Sequence, residues 1–151
     1  MRYNISYSNS KYDIELRQHY GNWVKSYSVD NFNSDWNYIL GLSYRKTIKS
    51  YKNSISNVKK LYQYLIQFDS KIDGFVSSES NNSFDNLHHH LVINSKVDYD
   101  VLKNEINKFW GKIGLIDFKE YDTKGNYCYY MCKHLNKGDY NNLEILSKLE
   151  Y

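Results

Sequence analysis

Residues Asp73–Ser95 read DGFVSSESNNSFDNLHHHLVINS. After the turn signal Asp73-Gly74, the run GFVSSES has strand character and ends at Glu79. The polar segment NNSFDN then carries the chain round to a second run, LHHHLVIN, and the two should pair antiparallel. Side chains alternate along a strand, so His88 and His90 point to one face, and His89 to the other with Leu87, Leu91 and Ile93. A histidine triplet that is internal and flows into an apolar run is not a purification tag.

Working upstream, WNYILGLSYRKT predicts a strand from Tyr38 to Tyr44 that ends in the basic pair Arg45 and Lys46. SISNVKKLYQYLIQF follows, with Ile55, Val58, Leu61, Leu65 and Phe68 at the three- and four-residue steps of an amphipathic helix. Downstream, Asp98 or Asp100 starts a second helix whose face carries Val101, Leu102, Ile106 and Phe109, ending at Trp110, Gly111 and Lys112. KIGLIDFKEYD reads as a strand. After the Lys124-Gly125 turn a third helix is expected from Tyr127 to Leu135, closing at Lys137-Gly138. The order β-α-β-β-α-β-α predicts an α+β, ferredoxin-like (split βαβ) antiparallel sheet backed by helices. Residues 1–35 read as a peripheral N-terminal extension that either forms short edge strands at Asn4–Ser8 and Trp23–Val29 or lies loosely on the surface, residues 36–138 as the core, and Asn142–Glu150 as one more short helix. Without an internal repeat or a glycine- or proline-rich linker, residues 1–151 are expected to form a single domain.

The chain has 151 residues, enough to bury a core without disulfides or structural metal. Tyrosine is abundant, at 17 residues, proline is absent, and the net charge is only +3, so no polycation announces a nucleic-acid partner. Two cysteines, Cys128 and Cys132, are too few for a four-thiolate zinc site and read as reduced, partly buried thiols. No run approaches the ~20 apolar residues of a membrane span, and no leader pattern opens the chain. A soluble, cytoplasmic protein is expected.

Two imidazoles on one face of a strand are able to converge on one metal ion, where a lone histidine would more readily be a core or surface residue. Glu79 ends the partner strand and is the candidate third ligand, with Asp85 in the connecting loop as the runner-up. Two nitrogens and one carboxylate leave coordination positions open, as a catalytic site requires, and suit Mn²⁺ or Mg²⁺ while accepting Zn²⁺. A second constellation lies in NYCYYMCKHLNKG, where Lys133 shares a helical face with Tyr129 or Tyr130. A phenol beside a cation or metal is able to act as a covalent nucleophile.

Three blocks in order, YILGLSYRK, LHHHLVI and YMCKHLNKG, resemble the motifs of the HUH endonuclease superfamily, specifically the rolling-circle replication initiators (Rep) of plasmids, phages and small DNA viruses. GFVSSES and NKFWGKIG resemble the flanking segments, and the likeness spans about Trp36 to Gly138. His89 departs from the pattern, which usually has a bulky apolar residue between the paired histidines. The resemblance implies a metal-dependent nicking and joining enzyme for single-stranded DNA. His88, His90 and Glu79 would hold the metal, Tyr130 would be the nucleophile in preference to Tyr129 or Tyr127, and Lys133 would steady the phosphate. The product would be a 5′-phosphotyrosine link and a free 3′-hydroxyl. Tyr44, Arg45 and Lys46 are candidate DNA-binding residues. The partners implied are single-stranded origin DNA and a host helicase and polymerase, in a bacterial or archaeal cell. A single-strand DNA transposase of the same superfamily is the nearest alternative. A noncatalytic ferredoxin-like nucleic-acid-binding module is the more distant one.

Overall fold

The computed structural model describes residues 11–48, 50–80, 87–133 and 142–147. In chain order the elements are α1 (Lys11–Phe32), β1 (Tyr38–Leu42), α2 (Tyr51–Leu65), β2 (Asp73–Glu79), β3 (His88–Asn94), α3 (Tyr99–Trp110), β4 (Ile116–Glu120), α4 (Tyr127–Tyr130) and β5 (Asn142–Leu146). The strands form one antiparallel sheet in the order β4-β1-β3-β2-β5. The α2 crossover joins β1 to β2, and β3 is inserted between them, which is the split βαβ arrangement expected from the element order.

The sheet is covered on both faces. On one, Leu40, Leu42, Leu91, Ile93 and Phe118 pack beneath α2 and α3, whose Val58, Leu61, Ile106 and Trp110 are fully buried or nearly so. Ser50 starts α2 by accepting a hydrogen bond from the Asn53 amide at 3.2 Å, satisfying one of the free N–H groups of a helix start. On the other face a smaller core joins Phe75 and Val92 to Val24 of α1, to Trp36, and to Cys128, Met131 and Cys132. Both thiols are free and buried.

Three expectations are corrected. Trp23–Val29 lies inside α1 rather than in an edge strand. The stripe that α1 buries is Gly21, Val24 and Ser28, spaced three and four apart, and two of these are not apolar, so no hydrophobic period marks the helix. Asn142–Leu146 is a strand along β2, not a helix: Leu143 and Ile145 face one core while Leu146 enters the other, and the pairing satisfies an otherwise open sheet edge. Two residues placed on helical stripes lie outside the core, Phe68 beyond the end of α2 and Val101 on the outer side of α3. The segments Asn4–Ser8, Asp85 and Lys137-Gly138 fall outside the described residues, and α4 continues only as a turn to Lys133 within them.

Candidate active site

β2 and β3 pair so that Glu79 stands opposite His88 and Ser77 opposite His90. Glu79, His88 and His90 therefore emerge on one face at the same end of two adjacent strands, as period-two alternation dictates. Glu79 is 2% exposed, and its Oε1 accepts from His88 Nε2 at 2.8 Å, His90 Nε2 at 2.9 Å and Lys133 Nζ at 3.1 Å. Burial alone would raise the Glu79 carboxyl. The hydrogen bonds from both histidines, with the charges of His90 and Lys133, outweigh it and hold the group well below the usual carboxylate range.

Three ligand atoms, one each from Glu79, His88 and His90, lie within 4.8 Å of one another. Ligands about 2.1 Å from an ion and at right angles are about 3 Å apart, close to the two carboxylate–imidazole separations here. Glu79 Oε2 is buried without a hydrogen-bond partner, an orphaned acceptor that a cation would satisfy. The donor set and its spacing fit a divalent ion.

The tyrosines of α4 divide by direction. Tyr130 is 48% exposed, its ring centroid is 5.2 Å from that of His90, and the Lys133 ammonium sits 3.5 Å above its ring. Tyr127 is more enclosed and its hydroxyl lies 3.4 Å from His90 Nδ1. Burial, then the neighbouring Tyr130, Asp117 and Glu79, pushes the Tyr127 phenol up, so it stays protonated. Tyr129 turns to α1 and donates its hydroxyl proton to Asn22. His90, Tyr127 and Tyr130 line a cleft of about 750 Å³ whose far side carries Gly41, Asp117 and Lys119.

The remaining candidates make their contacts elsewhere. Tyr44 lies past the end of β1 on the α2–α3 side, its hydroxyl donating to Ser54 O at 3.0 Å and meeting His89 Nε2 at 2.8 Å. Arg45 donates to the Gly111 carbonyl at the end of α3, and Lys46 is exposed. His89 is fully buried and also meets Ser78 Oγ at 2.6 Å through Nδ1. Burial, with the charges of His88 and His90, lowers its pKa to about 3, so it is a neutral core residue. The contacts of Tyr127 with His90 and of Ser78 with His89 were not read from the sequence. The strand register locates Ser78, and the three-residue step to Tyr130 locates Tyr127.

The chain is thus an α+β protein with a candidate metal centre on two inner strands of its sheet. A family model of replication-associated proteins of the ORF2 type matches residues 37–139, more than half of the chain, and the chain belongs to that family. No curated protein and no solved structure matches it. Among the described residues, no helix is long and apolar enough to cross a membrane.

Proposed function

We propose that this replication-associated protein is a rolling-circle initiator of the HUH endonuclease superfamily. It nicks and rejoins single-stranded origin DNA through a covalent tyrosine link, and residues 1–151 act as one nuclease domain. The observation that carries the reading is the convergence of Glu79, His88, His90 and Lys133 beside the exposed phenol of Tyr130. Family membership supports replication over transposition.

Glu79, His88 and His90 would hold Mn²⁺ or Mg²⁺. A bound divalent cation supplies Lewis acidity there, drawing charge from the non-bridging oxygens of a scissile phosphate. Tyr130 Oη attacks phosphorus and gives up its proton, the bond from phosphorus to O3′ breaks, and O3′ leaves as a hydroxyl. The downstream fragment remains joined to Tyr130 through its 5′-phosphate. One phosphodiester replaces another, so reversal by a 3′-hydroxyl reseals the strand without a nucleotide cofactor. Lys133 offers an ammonium to the phosphate oxygens as their charge develops. Tyr130 is the phenol open to the cleft, since Tyr129 is bound to α1 and Tyr127 is enclosed beside His90. Arg45 and Lys46, exposed past β1 with Tyr44 beneath them, supply phosphate contacts. A host helicase and polymerase would complete replication in the cytoplasm of a bacterial or archaeal cell.

The test uses 3′-labelled, random-sequence single-stranded oligonucleotides with Mn²⁺, resolved on a denaturing protein gel. Wild type and Tyr129→Phe should acquire labelled DNA covalently, and Tyr130→Phe and His90→Ala should not. An adduct that survives Tyr130→Phe overturns the nucleophile, and one that survives His90→Ala or a chelator overturns the metal centre.

A further inference from the structure

Tyr129 and Tyr130 are sequence neighbours with different surroundings. Tyr129's ring lies against Gly21 of α1: a Cβ at Gly21 would stand 2.4 Å from Tyr129 Cδ1 and 2.9 Å from Cε1, inside van der Waals contact. Only glycine allows α1 and α4 to approach this closely with the ring between them. The next residue, Asn22, accepts the Tyr129 hydroxyl proton. One turn earlier, Arg17 Nη1 donates to the Lys133 carbonyl at 3.3 Å, a cation on the last turn of the tyrosine segment. Beneath these contacts, Val24 of α1 shares a buried cluster with Cys128, Met131 and Cys132.

α4 has four residues, far fewer than the ~12 an isolated helix needs to persist in water. Its roll and height are therefore set by its supports, the sheet on one side and α1 on the other. Successive helical positions point about 100° apart, so a wall that holds Tyr129 also dictates where Tyr130 points.

We propose that α1 is the positioning element of the nucleophile: Arg17, Gly21 and Asn22 lock the tyrosine segment so that Tyr130, and not a neighbour, faces His90. This rests on the nuclease reading and adds to it a helix that lies ahead of the residues matched by the family model. Gly21 and Asn22 are positioning residues and act through Tyr129.

Gly21→Val, Asn22→Leu and Asn22→Asp test it, the last keeping an oxygen for the Tyr129 hydroxyl. Three quantities are read: Mn²⁺ affinity by electron paramagnetic resonance, hydrogen exchange of the Tyr130–Lys133 amides without DNA, and the single-turnover rate of adduct formation at saturating oligonucleotide. In Gly21→Val and Asn22→Leu the amides should lose protection and the rate should fall about 10- to 100-fold, the scale of an ångström of misplacement. Mn²⁺ affinity should stay within about twofold, and Asn22→Asp should resemble wild type. Unchanged exchange of these amides in Gly21→Val overturns the proposal, as does a rate loss matched by an equal loss of Mn²⁺ affinity. Absence of any adduct in wild type would remove the nuclease reading alone, because the exchange measurement still decides whether α1 holds the segment.

Discussion

His89 should make the protein sensitive to acid well before its carboxylates protonate. Its imidazole is fully buried between β2, the end of β1 and Trp110, and burial depresses its pKa from 6.5 to about 3. The unfolded chain therefore takes up this proton first. The stability owed to neutral His89 is complete above pH 6.5 and is lost as pH falls, at about 1.4 kcal/mol per unit until the folded value is reached. At pH 5 the loss is about 2 kcal/mol, worth roughly 4–8 °C in Tm for a chain of this size. The chain has four other histidines, so the measurement is a difference. The double variant His89→Leu/Ser78→Ala removes the imidazole together with the buried hydroxyl it would leave unpaired, while Tyr44 keeps its bond to Ser54. Urea unfolding at pH 7 and pH 5 should show wild type losing about 2 kcal/mol more than the variant between the two. Equal losses in both would refute the buried, neutral assignment.

Mn²⁺ at about a hundredfold its Kd should stabilise wild type by roughly 2.7 kcal/mol, raising Tm several degrees, and the rise should vanish in His90→Ala. Differential scanning fluorimetry with and without chelator reads both arms. Trp110→Ala should cost about 3–5 kcal/mol in urea unfolding, since the indole is fully buried and also donates to Ser43 O at 3.0 Å. Gly114→Ala should destabilise by more than about 1 kcal/mol, because a Cβ there would fall 1.7 Å from the Ser43 carbonyl oxygen and backbone must move. A denaturation midpoint equal to wild type would contradict that packing.

The inner strands were legible because their chemistry is periodic. Leu91 and Ile93 alternate with His90 and Val92, and polar segments bound the run, so strand identity, facing and the antiparallel pairing with the strand that ends at Glu79 follow together, while the register that sets Glu79 opposite His88 comes from the structure. α1 was not legible, because the positions it buries fully, Gly21, Val24 and Ser28, include a single apolar residue, and the Trp23 and Tyr27 rings that meet Phe75 stay partly exposed, so no apolar stripe marks the helix. β5 was misread for a different reason: LEILSKLE is rich in helix formers, and only the open edge of β2 makes it a strand, a tertiary effect that outweighs local preference. The site divides the same way. Glu79, His88 and His90 arise from adjacent strands whose register is local, whereas the contact of Tyr129 with Asn22 joins parts of the chain far apart in sequence.

β3 runs between two neighbours, but the pairing is unequal along its length. Among the described residues, His90 pairs with Gly41 of β1 on one side and Ser77 of β2 on the other, while His88 pairs with Glu79 of β2 and β1 ends opposite His89. The two imidazoles differ in how tightly the backbone grips them, and the amide of His90 should be the slower of the pair to exchange with deuterium.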